Sequence, residues 1–330
     1  MKAGESLSTL CAKFIEHKRA LGCKYDTEER IIGCFLKFCT DFCNTSDMSK
    51  ISLTRELVEA WVARKPYEAP RTQEPRMVVV RQLALFLQGL GVDAYLLPSR
   101  RFPTRTFQPY IFTHTQIESI MLEADKTKSH PISPYAHKVF PVLLRMLYGT
   151  GLRISEALSL TGRDVNLNDG IITVRHAKFN KDRLVPMSES LTQICSSYWS
   201  SMDLLPDNPF FPSRDKGHLS MGGVYSKFRT ILFNCGISHG GKGSGPRIHD
   251  FRHTFSVHSL GQWVRDGKDI YCMLPTLAAY LGHSNISSTG NYLRLTAEVF
   301  PELVDTISKS CGGVIPDCSD RFEDEGGEAF

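Results

Sequence analysis

The sequence predicts a mainly α fold with a small β-sheet: an N-terminal helical bundle, then a mixed α+β domain. Three observations carry this. Between residues 6 and 90, apolar residues recur every three or four positions in four separate runs, the period of helices with one buried stripe. From Leu97 to Arg105, two prolines and three arginines follow with no apolar period, as in an interdomain linker. Beyond it, helical runs surround two β-prone runs, Ile171 to Arg175 and Arg183 to Pro186, which read as the arms of a hairpin. At 330 residues the chain is long enough for two domains with real cores.

In the bundle, Leu7, Leu10, Cys11 and Phe14 form the first stripe. Asp26 and Glu29 are spaced as a capping box ahead of Ile31, Ile32, Phe35 and Phe38. Thr54 opens a third helix with Leu57, Val58 and Trp61 inward. Met77, Val80, Ala84 and Leu87 mark a fourth, stopped near Gly89 and Gly91. Lys13, Lys18, Arg19, Lys24, Arg64, Lys65, Arg71, Arg76 and Arg81 are placed on the outer faces. Such charges ordinarily make a solvated surface; on a bundle they also suit DNA phosphates. The expected boundaries are a helical domain over 1–96, a basic linker over 97–110, a second domain over 111–312 and an acidic tail over 313–330.

In the second domain, Thr113 and Gln116 make a capping box before Ile117, Ile120 and Met121. Val139 to Tyr148 is apolar on nearly every side, which places it centrally. Thr150 reads as the N-cap of a further helix with Arg153 in its first turn, where the guanidinium would add to the positive helix end. Glu156, three residues on, is placed to hold Arg153. Asp164 to Gly170 is turn-like, and His176 to Asp182 is a hairpin tip carrying Lys178 and Lys181. Tyr225 to Phe233 reads as a helix, so Gly236, Gly241 and Lys242 are not the phosphate loop their spacing suggests; Gly243 also stands where Ser or Thr should ligate magnesium. His249-Asp250-Phe251-Arg252-His253-Thr254-Phe255 reads as a helix start with Phe251 and Phe255 toward a core. His249 and Arg252 lie three apart and can converge on one group, and an Arg beside a His suits a phosphate. Thr276 is placed to cap Leu277 to Leu281, Gly282 to end that helix, and His283 to follow in the turn. Tyr292 rides on the next short helix, and Glu298 to Ser310 forms a terminal one with Pro301 at its start.

The net charge is +4, but six acids against one base give the tail from Asp317 a charge of −5, leaving +9 on the rest. That basic body is compatible with nucleic acid. The ten cysteines include no C-x-x-C pair, and Cys39 and Cys43 sit among phenylalanines, as core packing requires. Met1 to Leu10 has no signal-peptide core and no run is long enough to span a bilayer, so a cytoplasmic, nucleoid-associated location is expected.

Four segments together resemble the phage-integrase, or tyrosine recombinase, family. They are TGLRISE with Arg153, AKFNKDRLVP with Lys178, HDFRHTF with His249 and Arg252, and LGHSNISSTGNY with His283 and Tyr292. The resemblance runs from about Thr113 to Tyr292, and the N-terminal helices are similar to that family's SAM-like core-binding domain. It departs at the hairpin, where Ala177 and Phe179 flank the lysine instead of glycines. Alignment to the family's pattern at the Leu184-Val185-Pro186 end favours Lys178 over Lys181.

The resemblance implies a site-specific recombinase. Arg153 and Arg252 would neutralise phosphate charge, and His249 and His283 would donate to its oxygens. Tyr292 would hold DNA as a 3′-phosphotyrosine, and Lys178 would protonate the departing 5′-oxygen. It implies no cofactor and no metal. The partners would be double-stranded DNA and three further copies of the chain, a homo-tetramer on paired sites with a monomer in solution allowed. A type IB topoisomerase-like relaxing enzyme and a catalytically silent DNA-binding protein of the same fold are the alternatives; the six candidate residues are all intact, which disfavours the silent reading.

Overall fold

The computed structural model describes residues 5–45, 47, 51–66, 68, 70–100, 108–175, 182–240, 245–283 and 287–301. The hairpin tip with Lys178 and Lys181, the glycine-rich residues 241–244, half of the basic linker (101–107), the terminal helix beyond Pro301 and the acidic tail lie outside the described residues. The chain divides into two compact units, Met1–Thr106 and Phe107–Phe330.

The first unit holds α1 (Leu7–Ala20), α2 (Asp26–Cys43), α3 (Arg55–Val62) and α4 (Pro70–Gly89). The apolar stripes meet in one core around Phe14, Phe35, Leu57, Val58 and Leu83. Ser6 caps α1 through Thr9 N, and Thr54 caps α3 through Leu57 N. The capping box expected at Asp26 does not form. Tyr25 is the N-cap, in a left-handed conformation, and Asp26 is already helical. The reason is Arg19 of α1, whose guanidinium takes the carboxylates of both Asp26 and Glu29. Arg76 also departs from expectation: it is buried, not on an outer face. Its Nη2 donates to Glu68 Oε2 at 2.6 Å, and its guanidinium also reaches the carbonyls of Trp61 and Ala63.

The second unit runs α5 (His114–Asp125), α6 (Ala136–Thr150), α7 (Ile154–Ser159), a 3₁₀ turn (Gly162–Asp164), β1 (Val165–Asn166), β2 (Ile171–Val174), β3 (Arg183–Pro186), α8 (Glu189–Met202), α9 (Met221–Asn234), α10 (Asp250–Arg265), α11 (Ile270–Leu281) and α12 (Ser287–Val299). The strands form an antiparallel sheet in the order β1-β2-β3, with Ile172 opposite both Val165 and Val185. β1 lies inside the segment read as a turn, because two residues suffice to pair along β2. Helix α6 is central: it packs on α5, α8 and α10 and buries Val139, Leu143, Leu144, Met146 and Leu147. The Thr113–Gln116 capping box is formed.

Two caps fall elsewhere than the sequence suggested. Thr150 is the last residue of α6, its hydroxyl donating to Met146 O, and the N-cap of α7 is Arg153 itself. Helix α11 starts at Ile270 and runs through Pro275 and Thr276, so Thr276 is interior. Likewise Glu298 belongs to α12, which continues to Val299. Phe300 then packs against Gly261, where an added Cβ would come within 2.8 Å of its ring. Among the described residues no helix is long and apolar enough to cross a membrane.

Candidate active site

The site is built on α10. His249 is its N-cap residue, Arg252 lies in its first turn, and Phe251 beside them is fully buried in the main core of the unit. Arg252 is only 2% exposed. Its Nη1 donates to Gly151 O at 2.9 Å and its Nη2 to Leu281 O at 2.6 Å. Gly151 is the C-cap of α6 and Leu281 is the last residue of α11. Two helix C-termini therefore point their negative ends at one guanidinium. Carbonyls, not a carboxylate, orient it, so its charge remains available to an anion. Burial, and then the neighbouring charge of Arg153, lower the pKa of Arg252 to about 10, which still leaves it cationic at neutral pH. Gly151 adopts a left-handed φ of +60° and its absent Cβ would strike Phe255 at 2.5 Å, so both backbone and space require glycine there.

Arg153 sits at the start of α7. Its backbone N–H donates to Glu156 Oε2 at 2.9 Å and its Nη1 to Oε1 at 2.7 Å, as the spacing of the two residues suggested. Glu156 thus occupies the α7 N-terminus, and the free helix-end anion site expected there is not formed. The same carboxylate is taken from the other side by Arg183, the first residue of β3, at 3.0 and 2.8 Å. Arg183 Nε also donates to Tyr280 O in α11. Burial pushes the Glu156 carboxyl up, but Arg183 and Arg153 outweigh it and bring it down to about 2. Arg183 escaped the sequence reading, since an Arg opening a strand has no distinguishing pattern.

The histidines are held neutral. Burial, then the charges of Arg252, Arg247 and Arg153, lower His249 to about 4. Burial followed by Arg252 and Arg153 does the same to His283, also to about 4. His283 follows Gly282, whose left-handed φ of +68° ends α11. Its ring lies nearly parallel to that of Tyr292, with centroids 6.2 Å apart. Tyr292, on α12, is 4% exposed, and burial raises its phenol while Arg252 opposes that shift. Its hydroxyl lies 3.1 Å from Nδ1 of His253, a residue not among the sequence candidates. Its signal was present, one position after Arg252 in the same motif, but the helical face argument assigned that face to His249 and Arg252 alone. The structure thus brings Arg153, His249, Arg252, His283 and Tyr292 into one electrostatic neighbourhood. Lys178 lies outside the described residues.

Two cationic forks, neutral imidazoles and a phenol in one place can bind a phosphate-like anion and present an oxygen nucleophile to it. That arrangement, on a helical unit with a small antiparallel sheet, defines a class: enzymes that act on phosphodiesters through a tyrosine. The phage integrase family model matches residues 111–298, and this chain belongs to that family. Tyrosine recombinase XerA of Pyrococcus furiosus is 32% identical over 236 residues, 69% of this chain and 72% of that one. The y4rB protein of Sinorhizobium fredii is 28% identical over 311 residues, 90% of this chain and 95% of that one. Among solved structures, the Tn1549 transposon integrase in complex with transposon right end DNA aligns with a TM-score of 0.61 at 18% identity, over 91% of this chain and 100% of that one, a likeness of fold.

Proposed function

We propose that this tyrosine recombinase cleaves and rejoins DNA with Tyr292 as nucleophile. The observation that carries the reading is the buried Arg252, oriented by two carbonyls rather than by a carboxylate and interacting with Tyr292. Arg252 and Arg153 bind the scissile phosphate and stabilise the charge that builds on it in the transition state. His249 and His283, neutral before DNA arrives, hydrogen-bond its oxygens. The tyrosine oxygen bonds to phosphorus and the 5′-oxygen departs, protonated by Lys178. The covalent phosphotyrosine conserves the energy of the broken bond for rejoining.

The test is Tyr292→Phe on a nicked suicide substrate. The variant should bind DNA and form no covalent adduct, because the ring remains for packing and only the hydroxyl is lost. Adduct formation at the wild-type level would assign the nucleophile to another residue.

The first unit serves as a second grip on the DNA, and the active assembly is a homo-tetramer on two paired sites. The name of the XerH structure, a recombinase bound to its difH substrate, and the DNA-bound Tn1549 integrase are in keeping with a DNA partner. Residues beyond Pro301 dock on a neighbouring copy in this reading. Because Phe300 packs on Gly261 within its own unit, the informative truncation falls after Pro301. That shortened chain should bind single sites and lose synapsis on two-site DNA. Retained synapsis would move assembly to another surface.

A further inference from the structure

His253 is placed differently from the other two histidines. It meets the Tyr292 hydroxyl with a ring nitrogen, Nδ1 to Oη at 3.1 Å. The ring of His283 instead lies alongside the phenol, 6.2 Å between centroids at 20°. His249 sits one helical turn before His253 on α10, with its ring edge-on at 4.9 Å. A phenol attacking phosphorus must lose its proton; Arg252 and Ser256 also hydrogen-bond this hydroxyl, but a cationic guanidinium and an alcohol are poor proton acceptors, which leaves the neutral imidazole as the first candidate to take it.

We propose that His253 is a further catalytic residue, whose Nδ1 accepts the phenolic proton of Tyr292 as the oxygen attacks. The proposal rests on Tyr292 being the nucleophile. The step balances without a co-reactant. The Oη–P bond forms as the P–O5′ bond breaks; the phenolic proton passes to Nδ1, leaving an imidazolium, and the 5′-oxygen leaves with a proton from Lys178. In rejoining, the 5′-hydroxyl attacks phosphorus and gives its proton back to the neutral Lys178 amine, the P–Oη bond breaks, and the imidazolium returns its proton to Oη.

The surroundings of His253 explain why such a base would not act on its own. His249 and Arg252 face it from α10, Arg247 from the turn before that helix, His283 from the end of α11 and Tyr292 from α12. Burial, and then the charges of those histidines and arginines, hold it down to about 3, so in free protein it is neutral and a poor proton acceptor. A bound phosphodiester brings a negative charge into the same neighbourhood, offsets the arginines and strengthens the base. Proton transfer is thereby tied to occupancy of the cradle, and Tyr292 is not activated in its absence.

The experiment uses the full chain and a nicked suicide substrate, with Tyr292 either natural or replaced by 3-fluorotyrosine, whose phenol is more acidic and depends less on a base. His253→Asn keeps a polar atom near the hydroxyl but cannot take the proton; His253→Gln is the second variant should Asn not fold. The folded variant should bind DNA as the wild type does and form adduct about 10²- to 10⁴-fold more slowly. Fluorotyrosine should speed the variant by a much larger factor than it speeds the wild type. Adduct formation at the wild-type rate overturns the proposal. So does an equal fluorotyrosine effect in both proteins, since that reduces His253 to packing. Should Tyr292→Phe still form adduct, the nucleophile assignment itself fails; if it does not and His253→Asn is normal, only the role of His253 falls.

Discussion

Each unit of the molecule buries an arginine, and the two are treated oppositely. In the first unit Arg76 is 7% exposed and is closed by the carboxylate of Glu68, itself nearly buried, with the guanidinium over the Trp61 ring at 5.2 Å. In the second unit Arg252 is 2% exposed and is closed by two carbonyls, while the nearest strong carboxylate, Glu156, is already shared by Arg153 and Arg183. A buried ion pair is neutral and complete; it fixes local geometry and asks for nothing further. A buried cation whose hydrogen bonds go to dipoles, with no carboxylate of its own, can still pair with an anion, and part of its burial cost is recovered when one binds. Burial of an arginine therefore says little about function until its partners are known.

The largest effect that would sharpen this contrast is on chemistry. Arg252→Lys should leave a folded protein yet slow adduct formation by a hundredfold or more, on the order of 3 kcal/mol, because a point charge cannot replace the fork. Arg76→Lys should leave the rate per bound molecule unchanged. Equal rate losses in both variants would erase the distinction. Next in size, Glu156→Gln frees neither arginine geometrically but removes the charge that pairs them. Adduct formation should slow by roughly tenfold, about 1.4 kcal/mol, a smaller loss than for Arg252 because Arg153 keeps a polar partner. A variant as slow as Arg252→Lys would make Glu156 an equal part of the cradle. Third, Arg76→Met leaves Glu68 without its main partner, and the melting temperature should fall by an amount worth about 2 kcal/mol, read by thermal denaturation with cleavage measured well below it.

A fourth effect is read on stability alone, in the response to acid. His249, His253, His258 and His283 all lie in the second unit, and burial holds each well below the ordinary value of 6.5, three to about 4 and His253 to about 3. Between 6.5 and those values the unfolded chain binds protons that the folded one refuses, so stability falls as the pH falls through that window. Melting followed from pH 7 to 4 should decline progressively, and a His258→Gln variant should decline less steeply. A flat profile over that range would mean the folded histidines take up protons without difficulty.

The sequence made much of the fold legible for a physical reason: helix stripes and caps are local. The runs around Leu57 and Ile117 and the caps Thr54 and Thr113 needed no knowledge of distant residues. The failures share the opposite cause. Asp26 looked like a cap until Arg19 claimed its carboxylate from another helix. Arg76 looked solvated until Glu68 met it inside. At the site, Arg153, His249, Arg252, His283 and Tyr292 were legible because their motifs recur in a known family, whereas Arg183 and His253 were not. Arg183 acts through contacts 27 and 97 residues away in the chain, which no spacing rule reaches. His253 lay inside the motif, one turn after His249, but its partner Tyr292 is 39 residues on, and only the fold joins the two.

The carbonyl cradle of Arg252 has a consequence for variation among related sequences. A side-chain partner can be altered by one codon change; a peptide carbonyl cannot. The orientation of Arg252 is thus insulated from substitutions at position 281 that preserve the backbone path. What it cannot tolerate is a change of path, and that vulnerability is concentrated in two glycines, Gly151 and Gly282, whose left-handed turns aim the two helix ends. Heritable damage to this site should surface at residues that carry no functional group at all.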